Sequence, residues 1–136
     1  MEVRIYYEDT DCGGVVYYAN YLKYFERART HCLEEHGLSV SELIQEGTEF
    51  RVTKAELAYR SAAVHGETLV VDTTVIADRR VSITFSHRIR ERSSQRLVVE
   101  GSATLVTVDS TGKIKRIPPT ILEALKISSV SVSSPN

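Results

Sequence analysis

The chain has 136 residues, 42% of them hydrophobic and 26% charged, with 17 Lys+Arg against 18 Asp+Glu. This is the composition of one ordinary globular domain; it excludes a disordered polar chain, a coiled coil and a generally basic nucleic-acid binder. No apolar run approaches the ~18 residues of a membrane span, so no stable membrane insertion is expected.

Residues 2–7 alternate, Val3, Ile5 and Tyr7 against Glu2, Arg4 and Tyr6, which predicts a short first strand. A turn-rich stretch from Glu8 to Gly14 ends it. From Asn20 to His36 the period becomes helical, with Tyr21, Leu22, Phe25, Ala28, Cys32 and Leu33 on one face. Asn20 is the expected N-cap and Gly37 the expected stop. A shorter helical segment is expected from Ser39 to Gln45. After Gly47 the period switches to two, and strands are predicted around residues 48–60, 67–77, 81–92 and 96–108. In the third of these, Val81, Ile83, Phe85, His87 and Ile89 point one way, so His87 reads as a hydrogen-bonded core histidine. The connections at Ala62–Gly66, Asp78–Arg80 and Ser93–Gln95 are short and polar, which predicts antiparallel hairpins and a meander. A turn at Asp109–Gly112 leads through Pro118 and Pro119 to a terminal helical turn containing Ile121, Leu122 and Leu125. The Ser-rich residues 128–136 are expected to be a flexible tail, leaving residues 1–127 as a single domain.

The order β-α-β-β-β-β sets one long helix against one antiparallel sheet, an α+β fold with the helix over one sheet face. The other face or an edge is left for a partner, so a homo-oligomer is expected. The N-terminus lacks a signal-peptide pattern. Cys12 and Cys32 are too few for a disulfide scaffold or a four-ligand zinc site, which points to a reducing, cytoplasmic setting. Charge is uneven along the chain, −6 over residues 1–50, +3 over residues 51–100 and +2 over residues 101–136. Two halves of one site and two complementary solvated surfaces both fit that split.

Residues 8–20, EDTDCGGVVYYAN, bring together the parts of an acyl-transfer site. A carboxylate serves as nucleophile or general base. Gly13 and Gly14 allow close approach of backbone to a ligand. The helix start that follows offers free N–H groups to a developing oxyanion. An acidic loop that merely precedes a helix fits the same residues.

The segment YYEDTDCGGVVYYANYLKYFERART, residues 6–30, resembles the signature of the 4-hydroxybenzoyl-CoA thioesterase-like hotdog family, and within it the YbgC-type acyl-CoA thioesterases. The resemblance is strong over about residues 3–31, and its Asp-x-Asp-x-x-Gly-[Val/Ile]-Val-x-x-x-Asn-Tyr spacing is far more specific than one carboxylate. It implies a hotdog fold, an antiparallel sheet wrapped around one long helix, and hydrolysis of acyl-CoA to free acid and CoA. It implies that Asp11 is the catalytic carboxylate, attacking the thioester carbonyl or activating water. The backbone N–H of Tyr18 falls where the family has its oxyanion donor, and Tyr7 is a second candidate around the acyl group. Tyr18 stands where the nearest branch usually has His, so a His side-chain role is not carried over; Tyr is what the hydroxybenzoyl branch tends to show. Gly13, Gly14 and Val16 of the motif are expected at the substrate. Arg79 and Arg80 fall where the family has a basic cluster for the CoA phosphates, a role that suits guanidinium forks, as does a solvated turn. Arg88 and Arg90 share a Ser/Thr face and read as solvent-facing. No cofactor is expected, CoA being part of the substrate, and the assembly implied is a homodimer or homotetramer without nucleic acid.

Cys12 as a thiol nucleophile has no spaced base, and His31 and His36, five apart on the helix, have poor zinc geometry. The competing class is a non-catalytic hotdog module that holds an acyl thioester or docks onto a partner. Nucleic-acid binding through the arginine-rich middle is a third reading, opposed by the near-zero net charge.

Overall fold

The computed structural model describes residues 1–125; the expected tail, residues 128–136, and the domain boundary at residue 127 lie outside them. The described residues form β1 (Glu2–Arg4), α1 (Asn20–Glu35), α2 (Val40–Gln45), β2 (Glu49–Tyr59), β3 (Thr68–Asp78), β4 (Ser82–Glu91), β5 (Leu97–Val108), β6 (Ile114–Lys115) and α3 (Pro119–Leu125). All strands pair antiparallel in one sheet ordered β1-β3-β4-β5-β2, with β6 added to β5. The predicted elements are thus present, and the short β6, which had no sequence signal, extends the turn at Asp109–Gly112 into a hairpin.

The helix α1 lies against the sheet through Tyr21, Tyr24, Phe25, Ala28, Cys32 and Leu33, all buried. Their partners are the inward residues of the central strands, Ile83, Phe85, His87 and Ile89 of β4 and Val99, Ala103 and Leu105 of β5. Two expectations about α1 are corrected. Leu22, placed on the core face by periodicity, is 45% exposed, and Tyr24 and Arg29 are buried instead. Asn20 is the first helical residue rather than the cap; Ala19 precedes it without a side-chain capping bond. The stop at Gly37 holds: its φ of +83° lets Leu38 N–H bond Leu33 O at 2.9 Å and Gly37 N–H bond Glu34 O at 3.0 Å, a Schellman closure.

The meander is only partly as expected. Strands β3, β4 and β5 follow one another, but β2 pairs with β5 at the far edge. Residues 60–67 therefore cross the ends of β5 and β4 instead of turning a hairpin. Three strand spacings are about 14 Å, which eight residues span with ease, since an extended chain covers about 3.3 Å per residue. A short polar connection cannot by itself distinguish a hairpin from such a crossing. The crossing is pinned by Arg96, whose guanidinium donates to both oxygens of Glu67 at 3.0 and 3.2 Å and to Ala62 O at 2.9 Å.

In β2 the register shifts between Val52 and Lys54. The shift carries the inward parity from Phe50 and Val52 to Ala55, Leu57 and Tyr59, opposite Ala103, Gly101 and Val99 of β5. Helix α1 meets this edge strand at Tyr59 and leaves most of it uncovered, so Val52, Ala55 and Tyr59 stay exposed on the inner face. The outer face is polar and tied by cross-strand ion pairs, Arg90–Asp72 at 3.1 Å and Arg60–Glu100 at 2.9 Å, with Arg88 also at Glu100. Arg88 and Arg90 are thereby engaged on the solvated face, as expected.

Close packing of β2 on β5 needs a residue without a side chain at Gly101, where a Cβ would stand 2.1 Å from the Glu56 carbonyl oxygen. Gly101→Ala is expected to destabilise the protein by about 1–3 kcal/mol through backbone displacement. The check is chemical denaturation, with the midpoint lowered and the slope unchanged.

Candidate active site

Two hydrogen-bond clasps shape the loop ahead of α1. Asp9 is the first: its Oδ2 accepts from Tyr6 N–H at 2.8 Å, and its carbonyl accepts from Tyr17 N–H and from Asn20 Nδ2, both at 3.0 Å. Asp9 and Asn20 thus close the two ends of the loop on each other, which explains physically why the motif needs both. The second clasp is a small hairpin, with Asp11 N–H on Val15 O at 2.9 Å, Gly14 N–H on Asp11 O at 3.0 Å and Gly14 at φ +83°. Only glycine adopts that conformation without strain.

Asp11 sits exposed at the apex. Its Oδ1 accepts from Gly13 N–H at 2.8 Å, and Oδ2 has no hydrogen bond among the described residues. A Cβ on Gly13 would lie 3.2 Å from Oδ1, so the glycine gives the carboxylate its room. Asp11 therefore presents a fixed carboxylate with one oxygen available. The structural burden that two aspartates in a motif suggest falls on Asp9 alone.

Tyr18 lies one residue before the helix cap, with its ring 60% exposed. The amide of Tyr17 is taken by Asp9 and those of Asn20 and Tyr21 by the first turn, whereas Tyr18 N–H donates to no acceptor among the described residues. An unengaged amide at a helix N-terminus is a ready donor to negative charge. The ring packs on Tyr17 at 4.9 Å and edge-on to Tyr59 at 6.1 Å, and Tyr59 meets Tyr21 at 5.9 Å. Tyr59 closes β2 and is the one tyrosine outside the cluster at the start of the chain. Sequence distance hid it, because only the β2–β5 register brings it to the helix mouth.

The remaining candidates are spread out. Tyr7 is 80% exposed, its ring 6.2 Å edge-on to His65. Val16 is 5% exposed and its N–H bonds Ala63 O at 2.8 Å; it anchors the loop in the core beneath the carboxylate. Arg79 and Arg80 are exposed between β3 and β4. The Asp11 loop bridges to Val64, near the Thr68 end of β3. The arginines follow Asp78, at the other end of that strand, and eleven strand residues measure about 35 Å. Within one chain the loop holds Asp11, Gly13 and Gly14 in one small hairpin, with Tyr18 at its far end before α1, and leaves Arg79 and Arg80 remote.

Beneath the loop, the Tyr24 hydroxyl is buried without a hydrogen-bond partner among the described residues. Burial, and then the nearby Asp9 carboxylate, hold its phenol well above the usual range, so it stays protonated. Further along α1, Arg29 is 8% exposed and donates from Nη1 to His87 Nε2 at 3.3 Å, while Thr73 Oγ1 meets His87 Nδ1 at 3.0 Å. The His87 ring stacks on Phe25 at 4.2 Å. The expected hydrogen-bonded core histidine is present; its arginine partner went unforeseen, because Arg29 looked like one more surface charge. Among the described residues no three of His, Cys, Asp and Glu gather to hold a metal ion, and no helix is long and apolar enough to cross a membrane.

Comparison with known proteins identifies the family and the fold. Residues 6–125 match the family model of the thioesterase-like superfamily. The acyl-CoA thioester hydrolase YbgC of Escherichia coli is 37% identical over 125 residues, covering 91% of this chain and 92% of that one. The acyl-CoA thioesterase YbgC of Haemophilus influenzae is 36% identical over 116 residues, covering 85% and 83%. Among solved structures, a DHNA-CoA thioesterase from Staphylococcus aureus superposes with a TM-score of 0.88 at 26% identity, covering 95% of this chain and 89% of that one. A 4-hydroxybenzoyl-CoA thioesterase shares the fold with a TM-score of 0.85 at 19% identity, covering 92% and 96%.

Proposed function

Because the chain belongs to the thioesterase-like superfamily, with its hotdog fold, we infer that it hydrolyses acyl-CoA thioesters to the free carboxylic acid and CoA. What supports the mechanism is that one loop carries both an Asp11 oxygen without a hydrogen bond and a Tyr18 amide without an acceptor among the described residues. Asp11 either attacks the thioester carbonyl carbon, expelling CoA thiolate and leaving an anhydride that water opens, or takes a proton from the water that attacks. In both routes the carbonyl oxygen gains charge, and the Tyr18 N–H and the helix dipole stabilise it without reorganising. Thiolate leaves readily, so the loop needs no strong general acid. Gly13 and Gly14 let the acyl carbonyl approach the backbone. No resident cofactor takes part in this scheme, and the setting we propose is cytoplasmic.

The test is a panel of acyl-CoAs with thiol release as the readout. Release that depends on Asp11 supports the reading. Thermal stabilisation by CoA esters without release identifies a binding module instead.

The proposed working unit is a homodimer. Among the described residues strand β2 has an unpaired outer edge and an uncovered inner face with Val52 and Tyr59 each 50% exposed; such an edge pairs with a second copy unless protected. Antiparallel pairing of β2 with its twofold mate sets the Glu49 end of one strand beside the Tyr59 end of the other. The β3–β4 turn lies at the Glu49 end, since Ser82 pairs with Val106 and Val106 with Arg51. The partner's Arg79 and Arg80 then stand at the same end of the joined sheet as this chain's Asp11, where they meet the CoA phosphates. The ion-paired outer face stays in solvent, which favours a dimer over a tetramer packed through that face.

Replacing Arg79 and Arg80 together by Ala is expected to raise KM for acyl-CoA about tenfold or more, the loss of charge-assisted phosphate contacts. kcat should stay close to the parent value, and a short thioester without the nucleotide should be unaffected. Mixing this variant with Asp11→Asn should restore acyl-CoA hydrolysis, because one of the two shared sites is then intact. No recovery in verified mixed dimers would exclude the shared site.

A further inference from the structure

Among the described residues one buried side-chain polar atom has no hydrogen bond, the hydroxyl of Tyr24. The residue is 1% exposed and packs with Ile5, Val16, Tyr21 and Phe25 beneath the loop that carries Asp11. A hydroxyl taken out of water without a partner is destabilising. Phenylalanine would fill the same space without that cost, so the hydroxyl calls for a use that the resting fold does not show.

Its place on α1 points to that use. Tyr24 stands one turn beyond Asn20 on the same helix face. Asn20 Nδ2 holds the Asp9 carbonyl at 3.0 Å, and the next side chain along that face approaches the Asp9 carboxylate, the charge that acts most strongly on the phenol. Of the two carboxylate oxygens, Oδ2 accepts from Tyr6 N–H at 2.8 Å, and Oδ1 has no hydrogen bond among the described residues. A spare donor thus lies near a spare acceptor without bonding geometry. The ring itself is held, with the Arg27 guanidinium over it at 5.9 Å and the Tyr21 ring edge-on at 5.9 Å. Arginine only donates, so Arg27 cannot take the hydroxyl proton. The loop is the side with room to move: Tyr7 and Glu8 before Asp9, and Asp11 to Gly14 after it, are all exposed. Hydrogen bonds of active sites are often long or misaligned without substrate and tighten when it binds.

Building on the thioesterase reading, we propose that Tyr24 is a positioning residue: with an acyl-CoA seated, its hydroxyl donates to Asp9 Oδ1 and draws the loop onto α1. Asp9 is where such a pull has most effect. Its carbonyl holds the amide of Tyr17, whose neighbour Tyr18 carries the oxyanion donor, and Asp11 follows two residues later. One bond at Asp9 therefore fixes both the Asp11 carboxylate and the Tyr18 amide relative to the helix, and so relative to each other. No proton changes hands, and the phenol stays protonated throughout. The gain is alignment, and a misplacement of about 1 Å in a reacting group costs on the order of 100-fold in rate.

The experiment is Tyr24→Phe, which keeps the ring and its packing. Its kcat for thiol release from acyl-CoA should fall about tenfold, the loss of one hydrogen bond to a charged group. KM should move less than about threefold, since the CoA contacts are untouched. The urea midpoint of the free enzyme should stay the same or rise, because without substrate the hydroxyl has no bond to lose. A hydroxyl that merely holds the fold would do the reverse, lowering the midpoint and leaving kcat of the folded enzyme in place. Hydrogen exchange follows the loop directly. With a hydrolysis-resistant thioether analogue of acyl-CoA bound, exchange of the Tyr6 and Tyr17 amides, both bonded to Asp9, should slow in the parent and much less in the variant. An unchanged kcat, a lowered midpoint, or equal slowing of exchange in both proteins overturns the proposal and leaves the thioesterase reading standing. Failure of that reading looks different: the parent itself releases no thiol from any acyl-CoA, which removes both.

Discussion

Asp11→Asn is expected to fold like the parent and to lose between about 100- and 10,000-fold in kcat, the range that a positioned base or nucleophile contributes. That corresponds to about 3–5 kcal/mol of transition-state stabilisation. The substitution is close to isosteric. An asparagine Oδ1 still accepts from Gly13 N–H, so the hairpin from Asp11 to Val15 and the φ of Gly14 should survive. What disappears is the negative charge on the oxygen that has no other partner. An amide neither attacks a thioester usefully nor accepts a proton from water at neutral pH, so both routes fail together. KM should move little, because the CoA contacts lie elsewhere. Thiol release by the purified variant, with circular dichroism and a denaturation curve to verify folding, is the measurement. Full hydrolysis by a correctly folded variant would remove Asp11 from the mechanism. By contrast Asp9→Asn keeps the two carbonyl contacts to Tyr17 and Asn20. Any effect it has should appear first in stability, since Asp9 holds the loop's shape.

Those two aspartates show what was legible in the sequence. The loop could be read because its chemistry is local: Asp11, Gly13 and Gly14 are adjacent in the chain, and the helix start follows within a few residues. The span of α1 was equally open, since period, length and Gly37 agreed. Which residues the helix buries was not. Leu22 and Tyr24 both fit an apolar stripe, and the choice between them is made by how the helix packs on the sheet, which buries Tyr24 and leaves Leu22 exposed. In β2 the apolar parity moves by one residue at the register shift near Thr53, so a strict alternation breaks in mid-strand. The arrival of Tyr59 at the helix mouth follows from the pairing of β2 with β5, and the remoteness of Arg79 and Arg80 from Asp11 follows from the length of β3 and the bridge of the loop to its near end. Pairing is a long-range property that no window of sequence contains. Arg29 and His87 make the same point from 58 residues apart.

That pair supplies the second large effect, a loss of stability in mild acid. Arginine only donates, so the 3.3 Å contact from Arg29 Nη1 requires His87 Nε2 to be an acceptor. The proton of the neutral ring is then on Nδ1, donated to Thr73 Oγ1 at 3.0 Å. A second proton has no acceptor, and it would bring a charge into a site that is 1% exposed, against an existing cation. Burial first, and then the Arg29 charge, push His87 down to about 3. The folded state therefore binds this proton more weakly than the unfolded chain, whose histidine titrates near 6.5. Stability from this residue is complete above about pH 6.5 and is lost as pH falls through the window down to about 3, with a slope of ~1.4 kcal/mol per pH unit for one proton. Glu91, held at about 2 by the amides of Ser93 and Ser94, adds its own loss only below its ordinary range of about 4.5. His87→Gln separates the two, because glutamine can accept from Arg29 and donate to Thr73 but does not titrate. Urea denaturation between pH 6 and 4.5 should show the parent losing stability about one proton's slope more steeply than the variant. Parallel slopes in that interval would mean that the imidazole is protonated in the folded core, and the tautomer assigned to the Arg29–His87–Thr73 chain would be wrong.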